Sequence, residues 1–365
     1  MAGRIVVFGA TGYTGRLTAE ALVARGVQPV LAARDPAKLG KLADDLGGDL
    51  ETQIADVDRP ESVALLVEEG DVLVATVGPF VRWGDPAAQA AIAKRAHYLD
   101  STGEPPFISK VFEHYGPQAE AAGIGMLTAF GYDWVPGNLA AGLALRDAGP
   151  AAVRVDTGYF NTGPARPSGG TTASLAGVVA EPSFAFRDSA LRAVRSADRH
   201  RTFTIRGRER PAVTVGSSEH FTLPRLNDGL REVNSYLGWF GPMSRVVQAG
   251  SLLGAGMFKI PGSRDLYGRV VQRYVKGSTG GPDAEQRSKT GSHVVAEAFD
   301  AGGAKLSEVH VTGIDAYTFT AGILAWGAER AAAGGLRGSG ALGPVDGFGL
   351  DELEAGCREV GLSRA

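Results

Sequence analysis

Short apolar runs alternate with amphipathic segments over the first third of the chain. Six runs have the length and composition of buried parallel strands, namely Ile5–Phe8, Val27–Ala33, Leu50–Ala55, Asp71–Val77, His97–Asp100 and Ile124–Ala129. Helical patterns separate them, among them Glu61–Glu68, Pro86–Arg95 and Ile108–Ala122. Strands joined by crossover helices predict a parallel, doubly wound α/β sheet. We therefore expect a Rossmann domain over residues 1–145.

The pattern changes after Ala151 and predicts a second α/β domain over residues 146–317 with a mixed or antiparallel sheet. Its predicted elements are a helix at Thr171–Ala180 and strands at Val153–Phe160, Phe203–Ile205, Ala212–Val215, His293–Phe299 and Lys305–Gly313. A last region, residues 318–365, contains a helix at Thr318–Arg330, a flexible stretch at Gly334–Gly349 and a helix at Leu350–Val360. The apolar face of the first of these helices is too small to form a core alone. We expect this region to pack back on the Rossmann domain.

Three glycines follow the first predicted strand directly. Gly9 permits a tight turn, Gly12 lets the backbone approach a pyrophosphate, and Gly15 lets the following helix lie close to the strand. The free N–H groups at the start of that helix then face the phosphates. This context predicts a dinucleotide site that also includes the intervening residues Thr11, Tyr13 and Thr14.

The ends of the next strands predict which dinucleotide binds. Arg34 occupies the tip of the second strand, with Lys38 one turn later, and a guanidinium suits a 2′-phosphate. The sequence therefore favours NADP over NAD, although Asp35 is adjacent. Further cofactor contacts are expected from Asp56 and Val57, from Gly78, Pro79 and Phe80, and from Ser101. Asp56 has the alternative role of capping the helix near Arg59.

Composition and charge narrow the class of protein. A net charge of −3 provides no overall positive potential that would attract nucleic acid. The arginine-rich stretch Arg187–Arg210 is predicted to be a solvent-exposed face and not a nucleic-acid-binding patch. The scattered histidines predict no metal site. A single cysteine, Cys357, and a first strand close to the start of the sequence lead us to expect a cytoplasmic protein.

No run reaches the length of a membrane span. The nearest is Val246 to Phe258, which predicts a buried helix, with an interface or a peripheral contact at the inner membrane face as the alternative. We expect a homodimer that acts on a small-molecule substrate.

Several motifs resemble the saccharopine dehydrogenase-like oxidoreductases, and most closely their trans-acting enoyl reductase branch in lipid biosynthesis. They are V-G-P-F-x-x-x-G at 77–84, H-Y-L-D-S-T-G-E-P at 97–105 and G-Y-D-W-V-P at 131–136, with a looser echo at Ser168, Gly169, Gly170 and Thr171. The resemblance implies a nicotinamide domain joined to a substrate domain, and reduction of a C=C or C=N bond. It places Trp134 at the substrate. Ser168, Gly169, Gly170 and Thr171 lie at the start of the predicted helix Thr171–Ala180, where two roles are open: facing an anionic or carbonyl group of the substrate, or capping of the helix by Ser168 or Thr171. Trp134 stands where the branch commonly has serine, which narrows the pocket.

Reduction by hydride needs a group that stabilises or protonates the substrate anion. The loop after the sixth strand offers Tyr132 and Asp133, of which Tyr132 is the better acid because a phenol stays protonated at neutral pH. Asp133 has two other roles open, orienting a substrate amine or water and capping the next helix. Glu104 is the third candidate and needs a raised pKa to act.

These observations predict an NADPH-dependent reductase of an enoyl thioester on an apolar or carrier-bound, lipid-like substrate. One alternative is an imine reductase acting on an amino-acid-derived substrate. The other is a protein that binds NADP as a sensor or scaffold without turnover.

Overall fold

The structure is a computed structural model that describes residues 3–164, 168, 182–257 and 280–365. It divides into two compact units. Unit 1 combines residues 1–103 and 107–135 with the C-terminal residues 316–361. Unit 2 consists of residues 104–106, 136–315 and 362–365.

Unit 1 is built on a parallel sheet of seven strands. The strands are Ile5–Phe8 (β1), Val30–Ala33 (β2), Thr52–Ile54 (β3), Val72–Ala75 (β4), His97–Asp100 (β5), Gly125–Leu127 (β6) and Gly340–Ala341 (β15). Their order across the sheet is β15-β6-β5-β4-β1-β2-β3. The predicted α/β class is confirmed, and all six predicted strands are present. Several are shorter than predicted because the flanking apolar residues belong to the turns.

Helices connect these strands. They are α1 (Tyr13–Ala24), α2 (Pro36–Asp45), α3 (Pro60–Ala64), α4 (Phe80–Trp83), α5 (Asp85–Lys94), α6 (Pro105–Lys110) and α7 (Gly116–Ala122). A π-helical turn at Val111–Tyr115 joins α6 to α7, so the single predicted helix over this stretch is interrupted.

The C-terminal part of unit 1 packs on the sheet through a long helix, Ala316–Ala332, which we label α12. Tyr317 meets Tyr13 of α1 edge to face, with ring centroids 5.2 Å apart. Gly327 lies so close to Phe130 that a Cβ there would stand 2.4 Å from the ring. This close packing explains why a helix with a small apolar face is stable here.

The predicted flexible stretch 334–349 is instead ordered. It forms β15 and a short helix, Pro344–Phe348 (α13), followed by Leu350–Glu359 (α14). The backbone N–H of Gly340 donates to Ile124 and that of Leu342 to Met126, at 2.8 and 2.9 Å. The prediction of flexibility was wrong because Gly340 and Ala341 complete a sheet edge by pairing with β6, a partner that the local sequence does not reveal.

Unit 2 contains a mixed nine-stranded sheet. Its strands are Arg154–Thr162 (β7), Pro182–Arg187 (β8), Ala190–Arg195 (β9), His200–Ile205 (β10), Arg208–Val215 (β11), Glu232–Leu237 (β12), Gly291–Phe299 (β13), Lys305–Gly313 (β14) and Leu362–Arg364 (β16). Their order across the sheet is β10-β11-β12-β7-β13-β14-β16. Off this path, β8 pairs with β12, and β9 pairs with β8. Its described helices are Val135–Ala148 (α8), Glu219–Thr222 (α9), Ser244–Met257 (α10) and Ala284–Ser288 (α11). The predicted helix Thr171–Ala180 lies outside the described residues.

The arginine-rich stretch is not simply a solvated face. It forms strands, and several of its arginines are partly buried in ion pairs, namely Arg187 with Asp198, Arg199 with Glu232, and Arg201 with Asp156 and Glu297. Asp156, Glu232 and Glu297 lie on strands outside this stretch, so local composition could not show their pairing, whereas Asp198 lies within it.

The compact units divide the chain near Val135, ten residues before the predicted boundary at 145. Helix α8 accounts for the difference, because Asn138 and Ala144 of this helix make hydrogen bonds to Ser218 and Ser307 of unit 2. The assignment of the units as cofactor and substrate domains stays a prediction.

Candidate functional site

Two glycines of the loop between β1 and α1 stand where a side chain has no room. Gly9 has a φ of +89°, and a Cβ on Gly15 would stand 2.2 Å from the carbonyl oxygen of Gly9. Gly12 caps α1 with no side-chain hydrogen bond, so the first N–H groups of the helix stay available. Thr11, Tyr13 and Thr14 lie on the same loop and the first turn of the helix. The local backbone therefore fits a dinucleotide pyrophosphate.

The tip of β2 is cationic. Arg34 is exposed at the end of the strand, and Lys38 is 75% exposed. Asp35 serves as the N-cap of α2, because its carboxylate accepts hydrogen bonds from the N–H groups of Ala37 and Lys38 at 3.1 Å. The acidic residue that seemed to weaken the case for NADP thus has a structural role.

The ends of β3 and β4 carry two further turns. Asp56 shapes the first, where its carboxylate accepts from the N–H of Asp58 at 3.1 Å and Val57 follows it. At the second, a cis peptide joins Gly78 to Pro79. Phe80 then packs on Phe107 with ring centroids 5.6 Å apart.

The buried carboxylate of Asp100 accepts hydrogen bonds from both the loop after β5 and the loop after β6, and the sequence analysis did not identify this residue. One oxygen of Asp100 accepts from the N–H groups of Thr102 (2.9 Å) and Ala129 (2.8 Å), and the other accepts from the hydroxyl of Thr128 (2.8 Å). Burial raises the pKa of Asp100 to about 6, against the lowering effect of these hydrogen bonds. The position of Asp100 at the carboxyl end of β5 was the sequence signal that could have identified it, because ligand sites in parallel α/β sheets lie at the carboxyl ends of the strands.

Asp133 lies on the loop after β6, against the loop after β5. Its Oδ2 would be 3.1 Å from a Cβ on Gly103, so a side chain there would be tight against the carboxylate. Its Oδ1 is buried and accepts no hydrogen bond. Burial raises the pKa of Asp133 to about 7. Because Oδ1 accepts no hydrogen bond, this oxygen does not cap α8, which begins at Val135.

Tyr132, the better acid in the sequence reasoning, is packed into unit 1. It is 2% exposed, its ring meets Phe319 edge to face at 6.4 Å, and its N–H donates to the Thr320 hydroxyl at 2.9 Å. Trp134 is 1% exposed. These neighbours make Tyr132 and Trp134 parts of the core.

The other predicted site residues are distributed between the units. Ser101 lies in the loop after β5 of unit 1, whereas Glu104 begins unit 2 and is buried. Ser168 is buried, and Gly169, Gly170 and Thr171 lie outside the described residues. Within unit 1, the glycine loop, Arg34, the 78–80 turn and the loops carrying Ser101 and Asp133 all follow the carboxyl ends of parallel strands.

The described residues also bear on two other kinds of site. Among them, no group of three or more His, Cys, Asp or Glu residues is arranged to hold a metal ion. No described helix combines the length and apolar character needed to cross a membrane.

Comparison with known proteins agrees with the geometry of unit 1. Residues 5–127 match the family model of the saccharopine dehydrogenase NADP binding domain. A Mycobacterium tuberculosis protein with the provisional name of trans-acting enoyl reductase is 36% identical over 140 residues, which are 37% of this chain and 33% of that protein. A trans-acting enoyl reductase of Mycobacterium ulcerans is 34% identical over 140 residues, 37% of this chain and 34% of the relative. The matched region thus spans about a third of the length of these relatives.

The fold comparison extends over the whole chain. An apo saccharopine dehydrogenase (L-Glu forming) of Saccharomyces cerevisiae aligns with a TM-score of 0.63 at 12% identity, covering 100% of this chain and 99% of that one. At this identity the likeness shows the fold alone. Residues 5–127 match an NADP-binding domain of the saccharopine dehydrogenase type, which supports NADP(H) as the cofactor. The sequence resemblance is confirmed to this extent.

Proposed function

We propose that the protein is an NADPH-dependent oxidoreductase that reduces the polarised C=C bond of an enoyl thioester. The NADP-binding domain and the named enoyl reductases among its relatives support the reaction class. The observation that carries the proposal is the carboxyl group of Asp133, buried at a strand end of that domain with a pKa of about 7. Such a group holds a proton near neutral pH and can release it.

The residues of unit 1 have separate tasks in this proposal. The Gly9–Gly15 loop and the start of α1 bind the pyrophosphate, and Arg34 with Lys38 binds the 2′-phosphate. Bound NADPH supplies the hydride. The turn at Gly78 and Pro79 and the side chain of Ser101 lie on loops that we assign to the nicotinamide half of the dinucleotide.

Asp133 then completes the reduction. The hydride and its electron pair add to the β-carbon of the enoyl group, and the α-carbon takes the proton from a carboxyl oxygen of Asp133. The Asp133 carboxylate then regains its proton from water, which returns the donor to its starting state. Asp133 replaces Tyr132 as the preferred donor because the Tyr132 ring is packed against Phe319. Tyr132 and Glu104 remain the residues to test next.

An imine reductase on an amino-acid-derived substrate is the second candidate. A carboxyl group with a pKa of about 7 is partly ionised at neutral pH, and its carboxylate would pair with an iminium cation. In this case the substrate nitrogen already carries the proton, so Asp133 orients the substrate and donates no proton.

Oxidation of NADPH, followed at its absorbance maximum, distinguishes these reactions. The substrates are short- and long-chain enoyl thioesters and cyclic imines, and the variants are Asp133→Asn and Tyr132→Phe. We expect turnover of enoyl thioesters, a loss of about 100-fold or more in Asp133→Asn, and unchanged NADPH affinity. Turnover of cyclic imines alone would establish the second candidate. Tight NADPH binding with no turnover of either class would support a sensor or scaffold instead.

We further propose a carrier-bound, apolar substrate, a homodimeric assembly and a cytoplasmic location. Enoyl groups on a carrier protein and on coenzyme A can be compared in the same assay. Light scattering at several protein concentrations tests the dimer, and cell fractionation tests the location.

A further inference from the structure

Helix α12 runs alongside α1 in the same direction. At the starts of the two helices, the rings of Tyr317 and Tyr13 meet with centroids 5.2 Å apart. At their other ends, the guanidinium of Arg25 pairs with the Glu329 carboxylate at 2.6 Å. Since α1 begins after the carboxyl end of β1, α12 also begins at the edge of the sheet that carries the glycine loop. Its first turn therefore lies beside the turn of α1 that we assign to the pyrophosphate.

The same part of α12 holds the loop that carries Asp133. The hydroxyl of Thr320 accepts a hydrogen bond from the N–H of Tyr132 at 2.9 Å and donates one to the carbonyl of Ala316 at 2.7 Å. The loop lies directly on the helix at this point, because a Cβ on Gly131 would stand 2.9 Å from the Thr320 methyl group. Thr320 thus contacts the two residues that precede Asp133.

This hydrogen bond bears on the environment of the Asp133 carboxyl group. Tyr132 is 2% exposed, so its N–H is bonded to the Thr320 hydroxyl instead of water. Without that hydroxyl the loop must leave the helix for the N–H to reach water. Asp133 is the next residue, and burial is the cause of its raised pKa. Loss of the Thr320 hydroxyl should therefore admit water to the carboxyl group and lower that pKa.

We propose that α12 is part of the proposed active site, where Thr320 positions the loop of Asp133 and Tyr317 positions the first turn of α1. The inference rests on the proposed role of Asp133 as proton donor. Thr320 lies 188 residues after Tyr132 in the sequence, and the family match ends at residue 127. The start of one helix thus sets the position of the donor relative to the bound dinucleotide.

A carboxyl titration by NMR tests the role of Thr320 without substrate. Aspartate carboxyl groups of the full chain carry a carbon label, and Asp133→Asn identifies the Asp133 signal. Thr320→Val replaces the hydroxyl by a methyl group, whereas Thr320→Ser keeps the hydroxyl. We expect the pKa of Asp133 to fall by about one pH unit or more in Thr320→Val and to stay unchanged in Thr320→Ser. Thr320→Ala should show the same fall, and it replaces the valine variant if that variant does not fold.

Turnover and NADPH affinity separate the two positioning roles. In Thr320→Val the turnover number should fall about 10- to 100-fold, with its decline moved to lower pH and NADPH affinity kept. In Tyr317→Ala NADPH affinity should fall about 2- to 10-fold, because α1 loses the ring that packs on Tyr13. The pKa of Asp133 should be unchanged in that variant. Tyr317→Phe keeps the ring and should keep the affinity.

Thr214 of unit 2 provides a matched control. Its hydroxyl also accepts a backbone hydrogen bond at 2.9 Å, from the N–H of Arg199. Thr214→Val should change neither the pKa of Asp133 nor NADPH affinity. Equal pKa values of Asp133 in the wild type and Thr320→Val, or equal NADPH affinity in the wild type and Tyr317→Ala, would overturn the proposal. A wild type without turnover, whose Asp133 pKa still falls in Thr320→Val, would reject the proposed reaction and support the positioning by Thr320.

Discussion

Asp100 ends β5 and Ala129 lies two residues after the end of β6, and the N–H of Ala129 donates to the Asp100 carboxylate at 2.8 Å. The backbone is joined as well, because the N–H of Phe130 donates to the Asp100 carbonyl at 2.7 Å. Ala129 has a φ of +55°, which an alanine rarely adopts. The contact thus fixes the start of the loop that carries Asp133 relative to the loop that carries Gly103.

Replacing Asp100 should separate those loops. In Asp100→Ala three hydrogen-bond donors lose their acceptor, which costs about 1–3 kcal/mol for each buried group. Both the free energy of unfolding and the turnover should therefore decrease. Asp100→Asn keeps an oxygen for the N–H groups of Thr102 and Ala129, so it should recover most of the turnover. Urea unfolding and NADPH oxidation are measured on the same preparations.

Asp71 provides the matched control for Asp100. It is a buried carboxylate at the opposite, amino-terminal edge of the same sheet, where it accepts from the N–H groups of Arg4 and Glu68. Asp71→Ala should destabilise unit 1 while turnover of the folded protein is retained. Equal losses of turnover in the two alanine variants would mean that Asp100 acts only through stability.

The pKa of Asp133 predicts a pH dependence of turnover. The pKa is raised to about 7 by burial, so the donor is protonated below pH 7 and ionised above it. The turnover number for an enoyl thioester should be constant on the acid side and fall tenfold per pH unit well above pH 7. In Asp133→Asn the residual rate should lose this decline. A wild-type profile that stays flat through pH 7 and beyond contradicts the assignment.

The same pKa predicts the sign of a stability change. Because the folded pKa of Asp133 lies above its unfolded value near 4, folding favours the neutral carboxyl group. Its contribution is fully present below pH 4 and is lost as the pH rises to about 7. Asp133→Asn cannot ionise, so its free energy of unfolding relative to the wild type should rise between pH 4 and 7. A constant difference over this range in urea titrations would show that the carboxyl pKa is ordinary.

Arg34 should determine the preference for NADPH over NADH. A charge-assisted hydrogen bond is worth about 1.5–3 kcal/mol, so Arg34→Asp should weaken NADPH by about 10- to 150-fold and change NADH far less. Lys41→Asp, with the same change of charge on α2, serves as the control. Equal dissociation constants of the wild type for the two nucleotides, measured by calorimetry, would defeat this prediction.

Gly15 should tolerate no side chain. In Gly15→Ala the new Cβ would stand 2.2 Å from the Gly9 carbonyl oxygen, so α1 must move off the loop and NADPH binding should be lost. Gly40→Ala on α2 is the control, because nothing lies within 4 Å of its Cβ position. That control should keep NADPH affinity and gain about 0.5–1 kcal/mol of stability. Normal NADPH affinity in Gly15→Ala would show that the loop does not cradle the cofactor.

The sequence by itself determined the features that depend on neighbours along the chain. Strand β1, the spacing of Gly9, Gly12 and Gly15, and Arg34 at the end of β2 are local patterns, because a turn, a helix start and a strand end need only a few residues. They predicted the parallel sheet and the NADP-binding domain that the family comparison confirms.

Tertiary structure alone decided the features that depend on distant partners. The pKa of Asp133 follows from burial, and the role of Asp100 follows from donors 28 and 29 residues away. Gly340 joined the sheet because β6 offered an open edge, and α10 turns Gln248 and Ser251 to the protein because the carbonyl groups of Asp198 and Ser196 accept their hydrogen bonds. Periodicity shows that a helix has two faces, but only the packed chain decides which of them meets the protein.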